Sequence, residues 1–482
     1  MSAALHTLAA HQLLSGYRLR QFSPVEVLRD VLCQIARWEP HLDATWRLRS
    51  DAALAEARAS EARWRQGRPR GLLDGVPITI KDNIATHGDP TPLGTRATPL
   101  TPAAADAPPA ARVREAGAIV IGKTTMPDYG MLSSGLSTFH RIARNPWDLS
   151  RTPGGSSAGA GAACAAGYGP LHLGTDIGGS IRLPAGWCGI VGFKPSLGRV
   201  PIDPPYMGRA AGPMTRSVRD AALLMQALAE PDLRDSMALP PQPIDWPATW
   251  RQPLPLRGLR IGLMLDAGCG LPVEPAITAA VTRAAQLLAA EGAVIEPMPP
   301  VMTPELLTGL DHFWRMRSLI DLDALPPQAR QHVLPAIGQW AESARTMSGP
   351  DVFQAWTSTH ATRVAAQRAM APFDYVLSPT APCGPAPFDW PSPTNDPLRG
   401  LEHIGFTVPW NMGEQPALSL NGGYSASGLP IGVQFIGQRF DDLGVLRLAQ
   451  AFESLRDAQR PWPEPPPATA ETPPATQPSP AS

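Results

Sequence analysis

The segment Pro153-Gly154-Gly155-Ser156-Ser157-Ala158-Gly159-Ala160-Gly161-Ala162-Ala163 contains no side chain larger than that of proline. A helix built from it carries no bulk on any face, so neighbouring elements can close on its backbone, and Ser156 or Ser157 supplies a capping hydroxyl. A second glycine-rich stretch follows, Gly174-Thr175-Asp176-Ile177-Gly178-Gly179-Ser180-Ile181-Arg182. It can turn several backbone N–H groups towards one point, as an oxyanion hole requires.

The surrounding texture is α/β. Up to about Arg70 the chain reads as helices, with Ser23-Pro24-Val25-Glu26 as a capping box and apolar residues at helical spacing from Val25 to Ile35. From Gly71 short apolar runs (Val76 to Ile80, Ala118 to Ile121, Leu171 to Leu173) alternate with helical stretches and glycine-rich loops. Leu259 to Leu265, Glu274 to Ala290 and Ala293 to Pro297 read as a strand, helix and parallel strand. Thr303 to Ala371 is helical, with Trp314, Trp340 and Trp356 expected to pack between helices. Strand texture resumes at Tyr375 to Leu377, Ala417 to Asn421 and Ile431 to Ile436, before a helix near Leu443 to Leu455. The expectation is one α/β domain with a mixed, largely parallel sheet covered by helices. Residues 1–70 form a helical segment packed on it, 71–460 the domain itself with a helical insertion at 303–371, and 461–482 a disordered proline-rich tail.

Composition removes several classes. No apolar run approaches the ~18 residues of a membrane span, and the start lacks a secretory pattern, so a cytoplasmic location is expected. A formal net charge of -1 without a basic stripe argues against nucleic-acid binding. The five cysteines are not spaced as a metal knuckle or redox pair, and none of the ten histidines is spaced as a metal pair. No metal or cofactor is expected. The 57 prolines are more than double the ~5% share usual in globular chains, and part of that excess lies beyond Pro461. Of 41 basic residues only Lys81, Lys123 and Lys194 are lysine, a bias expected of a GC-rich bacterial genome. Each lysine therefore merits separate scrutiny, because lysine can lose its proton near neutrality and arginine cannot.

A serine nucleophile needs a base. Gly155-Ser156-Ser157-Ala158-Gly159 satisfies the G-x-S-x-G pattern and would make Ser157 the nucleophile of an α/β-hydrolase, but that elbow must follow a strand directly. Here Asn145 to Pro153 reads as a loop. The other base is Lys81, at the end of the apolar run in Gly75-Val76-Pro77-Ile78-Thr79-Ile80-Lys81-Asp82-Asn83, where burial would favour the neutral amine. Lys123 and Lys194 read as structural, and His87, His140 and His172 lie near the motifs without a partner that would make them catalytic.

Together, Val76-Pro77-Ile78-Thr79-Ile80-Lys81-Asp82-Asn83, the Gly-Gly-Ser-Ser loop and the Gly-Thr-Asp-Ile-Gly-Gly-Ser-Ile-Arg loop resemble the amidase signature family. Further landmarks are Met126-Pro127-Asp128, Asn145-Pro146-Trp147-Asp148, Gly192-Phe193-Lys194-Pro195, Gly212-Pro213-Met214 and Gly428-Leu429-Pro430-Ile431-Gly432-Val433-Gln434. The resemblance implies that Ser180 is the acyl-accepting nucleophile, Lys81 the ultimate base and Ser156 a bridging serine after a cis Gly155-Ser156 bond. It also implies an oxyanion hole from the N–H groups of Ile177, Gly178, Gly179 and Ser180. Thr175 would lie behind these groups, with Asp176 and Arg182 bracing the loop. Ala158 stands where many members have glycine.

The function expected is a cofactor-independent serine amidohydrolase that forms an acyl-enzyme on Ser180, with esters and carbamates also accessible. The expected partner is a small-molecule amide, with no nucleic acid and no membrane, and a homodimer is left open. Specificity is expected from the Tyr129 to Leu136 loop, the helical insertion and the loop around Trp410. The alternative is the A subunit of a glutamyl-tRNA amidotransferase-type complex, against which Pro201-Ile202-Asp203-Pro204-Pro205-Tyr206-Met207 departs from the corresponding stretch of that protein.

Overall fold

A computed structural model describes residues 4–467. Eleven strands form one sheet: β1 (Thr45–Leu48), β2 (Pro77–Lys81), β3 (Ile119–Thr124), β4 (Leu171–Asp176), β5 (Val191–Lys194), β6 (Ala210–Thr215), β7 (Arg260–Leu263), β8 (Val294–Pro297), β9 (Tyr375–Pro379), β10 (Ala417–Tyr424) and β11 (Pro430–Gly437). Their spatial order is β1-β3-β2-β4-β6-β5-β10-β11-β9-β7-β8. The α/β class with a large mixed sheet is as expected, and the strand directions are more evenly divided. Parallel pairing is confined to β2 with β3 and β4 and to β7 with β8 and β9. The six other neighbouring pairs are antiparallel. Apolar runs such as Ile78 to Ile80 reveal burial on both faces and carry no information on direction.

Burial follows position in the sheet. Every residue of β2, β3, β4, β6, β9 and β11 is buried, whereas the edge strands β1 and β8 are partly open. β1 lies inside the segment expected to be helical throughout; Thr45 to Leu48 is too short to show a period, and its pairing with β3 makes it a strand. The preceding helix Pro24–Leu42 starts as the capping box predicts, with the Glu26 N–H donating to Ser23 Oγ at 3.2 Å and the Ser23 N–H to Glu26 Oε2 at 2.8 Å. In the 303–371 region the helices Pro335–Glu342 and Gly349–Met370 each pack on the helix Pro304–Asp323. Trp314 and Trp340 are buried there, and Trp356 is exposed.

Disorder was expected from residue 461, but Trp462 packs: its ring lies 6.2 Å from that of Trp147, with the Arg216 guanidinium 4.6 Å away. Residues 468–482 of that segment lie outside the described residues.

The small-residue segment forms the helix Ala158–Ala166, every residue of which is buried. It touches β2, β3, β4 and β6 as well as the helix Arg182–Cys188. Glycine at 159 permits this approach, because a Cβ there would overlap the Ala44 carbonyl and lie 2.6 Å from the Thr125 nitrogen. Two opposing effects meet in Gly159→Ala. Helix propensity favours alanine by ~1 kcal/mol, whereas forcing a methyl between two backbone segments costs about 1–3 kcal/mol. Backbone cannot step aside as a flexible side chain can, so the overlap dominates. Gly159→Ala is expected to lower the unfolding free energy by ~1–2 kcal/mol in urea titrations followed by circular dichroism; a gain in stability would show that the helix is not tightly enclosed.

Candidate active site

β2 carries Lys81 as its last residue and delivers the side chain, fully buried, beneath the two glycine-rich loops. Its amine donates to Ser156 Oγ at 2.7 Å and to Thr175 Oγ1 at 3.0 Å. Asn83 Nδ2 donates to the same Thr175 hydroxyl at 3.1 Å. Both partners of the amine are hydroxyls, which solvate a neutral amine adequately and an ammonium poorly. Burial, followed by the charge of Arg209, holds the Lys81 pKa well below that of an ordinary lysine, although Asp176 and Asp82 oppose the shift.

Ser156 follows a cis Gly155-Ser156 bond and is itself buried. Gly130 closes over it, since a Cβ at 130 would lie 3.2 Å from Ser156 Oγ. Ser180, near the end of the second loop, lines an open cleft with Ile177, Gly178, Leu183, Trp314 and Ile404. The backbone ties the loops together, with the Ser157 N–H donating to the Ser180 carbonyl at 3.1 Å. Ser180 Oγ makes no hydrogen bond to another described residue, which leaves it free to meet a substrate. Apo hydrogen bonds of this kind often tighten only on binding.

The glycine-rich loop is shaped by Asp176. Its carboxylate accepts from the Gly179 N–H at 2.8 Å, the Ile181 N–H at 3.1 Å, Arg182 Nε at 3.0 Å and Asn411 Nδ2 at 2.9 Å. Burial pushes this carboxyl upward, but the Arg182 charge and hydrogen bonds outweigh it, so the group stays ionised well below the usual carboxylate range. Of the four N–H groups expected to form an oxyanion hole, one is already engaged. The Gly179 N–H is engaged by Asp176, whereas the N–H groups of Ile177, Gly178 and Ser180 have no acceptor among the described residues. Gly179 serves the loop through its conformation: its φ is 124°, and a Cβ would lie 2.7 Å from Thr407 Oγ1.

The other candidates separate cleanly from the site. Lys123 donates to the Ile84 carbonyl and Lys194 to the Pro195 carbonyl at 2.8 Å, with burial lowering them to about 8 and about 7. His140 Nε2 lies 2.7 Å from Asp82 Oδ2, and His172 Nδ1 lies 2.7 Å from Thr79 Oγ1 with its pKa pushed down by burial to about 3. None of these groups bonds to a serine. Ser157 Oγ donates to the Thr175 carbonyl at 3.2 Å inside the core, so it holds β4 to the helix. Met131, Leu132 and Trp314 reach the cleft from the expected loop and insertion. Trp410 does not: it is wholly buried in the core beside Phe406, and Leu401 and Ile404 stand at the cleft instead. Asn83 and Gly130 also belong to the site, although neither carries a chemical signature that sequence reading could use.

Comparison with known proteins fits this geometry. The family model for Amidase matches residues 26–446. The chain is 33% identical to the glutamyl-tRNA(Gln) amidotransferase A subunit of Chloroflexus aurantiacus over 95% of this chain and 99% of that protein. It is 35% identical to the protein of the same name from Nitratidesulfovibrio vulgaris, over 93% and 97% of the two chains. Among solved structures it resembles a bacterial aryl acylamidase of the amidase signature family, with a TM-score of 0.85 and 30% identity over 94% of this chain and 96% of that one. It also resembles the glutamyl-tRNA(Gln) amidotransferase A subunit of Thermotoga maritima, with a TM-score of 0.77 and 26% identity over 97% and 99%. These relatives overturn the expectation of a small-molecule partner with no nucleic acid: proteins matched end to end are named as one subunit of an enzyme for glutamyl-tRNA(Gln). Net charge and the Pro201 to Met207 stretch misled that expectation, because neither reflects the likeness that runs over 95% of the chain. Among the described residues no helix is long and apolar enough to cross a membrane. The family match over residues 26–446 and the relatives aligned over most of the chain place it in the amidase signature family, as an enzyme acting on amide C–N bonds.

Proposed function

We propose that the chain cleaves carboxylic amides by acyl transfer to Ser180. As Ser180 Oγ forms its bond to the carbonyl carbon, its proton passes to Ser156 Oγ, and the Ser156 proton passes to neutral Lys81. The tetrahedral oxyanion is met by the free N–H groups of Ile177, Gly178 and Ser180. Collapse breaks the C–N bond, the proton returns to the departing nitrogen, and water then releases the acyl group from Ser180. The observation that carries this reading is the 2.7 Å contact between Lys81 Nζ and Ser156 Oγ in a fully buried setting.

The setting favoured by the relatives is that of the A subunit of an amidotransferase, at 33% identity over 95% of the chain. Amide hydrolysis at Ser180 would then supply the nitrogen that the assembly transfers. A second reading, an amidase acting on its own, is supported by the aryl acylamidase likeness, whose TM-score of 0.85 exceeds the 0.77 of the Thermotoga maritima protein. Partner dependence distinguishes them: ammonia release that rises many-fold only with partner proteins and tRNA supports the first, and full turnover by the chain alone supports the second.

Labelling with a fluorophosphonate followed by peptide mapping is expected to place one adduct on Ser180. An adduct on Ser157 would overturn the assignment. Lys81→Arg is expected to be nearly as damaging as Lys81→Ala, each lowering kcat/KM by about 100-fold or more, because arginine stays protonated in the same setting and cannot accept the Ser156 proton. The sign of the pH dependence follows from the same group. A lysine whose pKa is lowered by burial is protonated and inactive at acid pH, so wild-type kcat/KM should rise with pH through that lowered pKa and then level off. A folded arginine variant with substantial activity would remove Lys81 from the role of base.

A further inference from the structure

The cleft at Ser180 is walled largely by apolar side chains, among them Leu132, Leu183, Trp314 and Ile404, and one further hydroxyl interrupts that wall, that of Ser133. Ser133 Oγ lies 2.7 Å from His403 Nε2 and makes no other hydrogen bond among the described residues. His403 sits between Leu401 and Ile404, which both line the cleft, yet it is itself wholly buried. Its ring stacks on the Trp187 indole with 6.3 Å between centroids, and the indole is fixed in turn by donating from Nε1 to the Cys383 carbonyl at 3.0 Å. The chain that carries the histidine is anchored next door, where the Leu271 N–H donates to the Glu402 carbonyl at 2.9 Å. The imidazole is therefore a fixed prop behind Ser133.

The other ring nitrogen sets the direction of this hydrogen bond. His403 Nδ1 is buried and has no partner among the described residues. Burial draws the pKa of the ring down to about 4, so at neutral pH it carries a single proton. If Ser133 were the donor, that proton would sit on Nδ1, an N–H buried with nothing to accept it. Orphaned donors of that kind are rarer in folded proteins than bare acceptors. Nε2 is therefore the protonated nitrogen and donates to Ser133 Oγ. The Ser133 hydroxyl proton is then left without an acceptor at the wall of the cleft. A substrate oxygen carried into apolar surroundings loses its water and gains nothing unless it meets such a donor. One fixed hydroxyl thus decides where along a substrate an oxygen is tolerated.

We propose that Ser133 donates a hydrogen bond to an uncharged oxygen of the substrate, an ether or carbonyl oxygen set apart from the scissile carbonyl by an apolar segment, and that His403 is the positioning residue that orients this hydroxyl. This selectivity rests on the reading of Ser180 as the acyl-accepting group, and the test separates the two. Octyl fluorophosphonate is compared with analogues in which an ether oxygen replaces the chain methylene at each position in turn, and the rate of labelling at Ser180 is followed by intact mass and peptide mapping. In wild type one analogue is expected to react about fivefold faster than the octyl compound, and the others more slowly, because their oxygen is desolvated without a donor. The ratio of the two rates cancels any change in Ser180 reactivity common to both compounds. Ser133→Ala is expected to abolish the advantage and His403→Phe to lower it as far, with the double variant no worse than Ser133→Ala alone. His403→Gln, whose amide N–H can stand where the Nε2–H does, is expected to keep part of it. A merely structural role for His403 would slow both compounds alike and leave their ratio intact, which would remove the histidine from the proposal. No favoured position in wild type, or an advantage that survives Ser133→Ala, would overturn it altogether. Absence of any label on Ser180 would instead overturn the acyl-transfer reading and this selectivity with it.

Discussion

The structure depends on burying a lysine amine against hydroxyls alone. Lys81 lies at the C-terminal end of β2, between β3 and β4, where water is excluded and the nearest polar atoms are Ser156 Oγ and Thr175 Oγ1. A carboxylate there would hold the ammonium and suppress its basicity. Asp82 is the adjacent residue, yet its carboxylate is turned to His140 and to the N–H groups of Leu93 and Gly94. Asp176 is likewise committed to Arg182, Asn411 and its own loop. The acids nearest the amine are thus occupied elsewhere, and burial acts on Lys81 with little compensation.

The same economy shapes the loops. Asp176 fixes the turn by accepting the N–H groups of Gly179 and Ile181, leaving a smaller set unengaged. Arg182 is buried with it and reaches the Thr407 carbonyl, Gln434 and Asn411, so one ion pair links the loop to distant parts of the chain. Breaking either partner of so buried a pair typically costs ~3–5 kcal/mol, which makes the loop's shape a property of the whole core.

What was legible in the sequence was local. Ser23 and Glu26 announced a helix start because capping is decided within four residues. The apolar run ending at Lys81 announced a buried strand, and the residues of Ala158–Ala166 announced close packing. Strand direction was not legible, since β4 and β6 pair antiparallel through a connection whose path no local pattern records. β1 was missed because four residues show no period, and the packing of Trp462 because composition averages over the one large residue that matters. In the site, Lys81 and Ser156 were readable as chemical types in distinctive motifs and the fold brings them into contact. The engagement of the Gly179 N–H was invisible, because it depends on where a carboxylate three residues earlier turns. The partner expectation failed for a different reason, since the net charge of one chain does not report on the assemblies its relatives are named for.

The central claim is that Lys81 is a neutral amine at working pH, and the scarcity of lysine allows it to be observed directly. Protein labelled with ¹⁵N only at lysine Nζ contains three such nitrogens, at Lys81, Lys123 and Lys194, and the Lys81 resonance is assigned by its loss in Lys81→Ala. Followed by NMR across pH, that resonance should have the chemical shift of a free amine at pH 7 and change to that of an ammonium only on acidification. An ammonium shift that persists to the ordinary lysine range near pH ~10 would contradict the account.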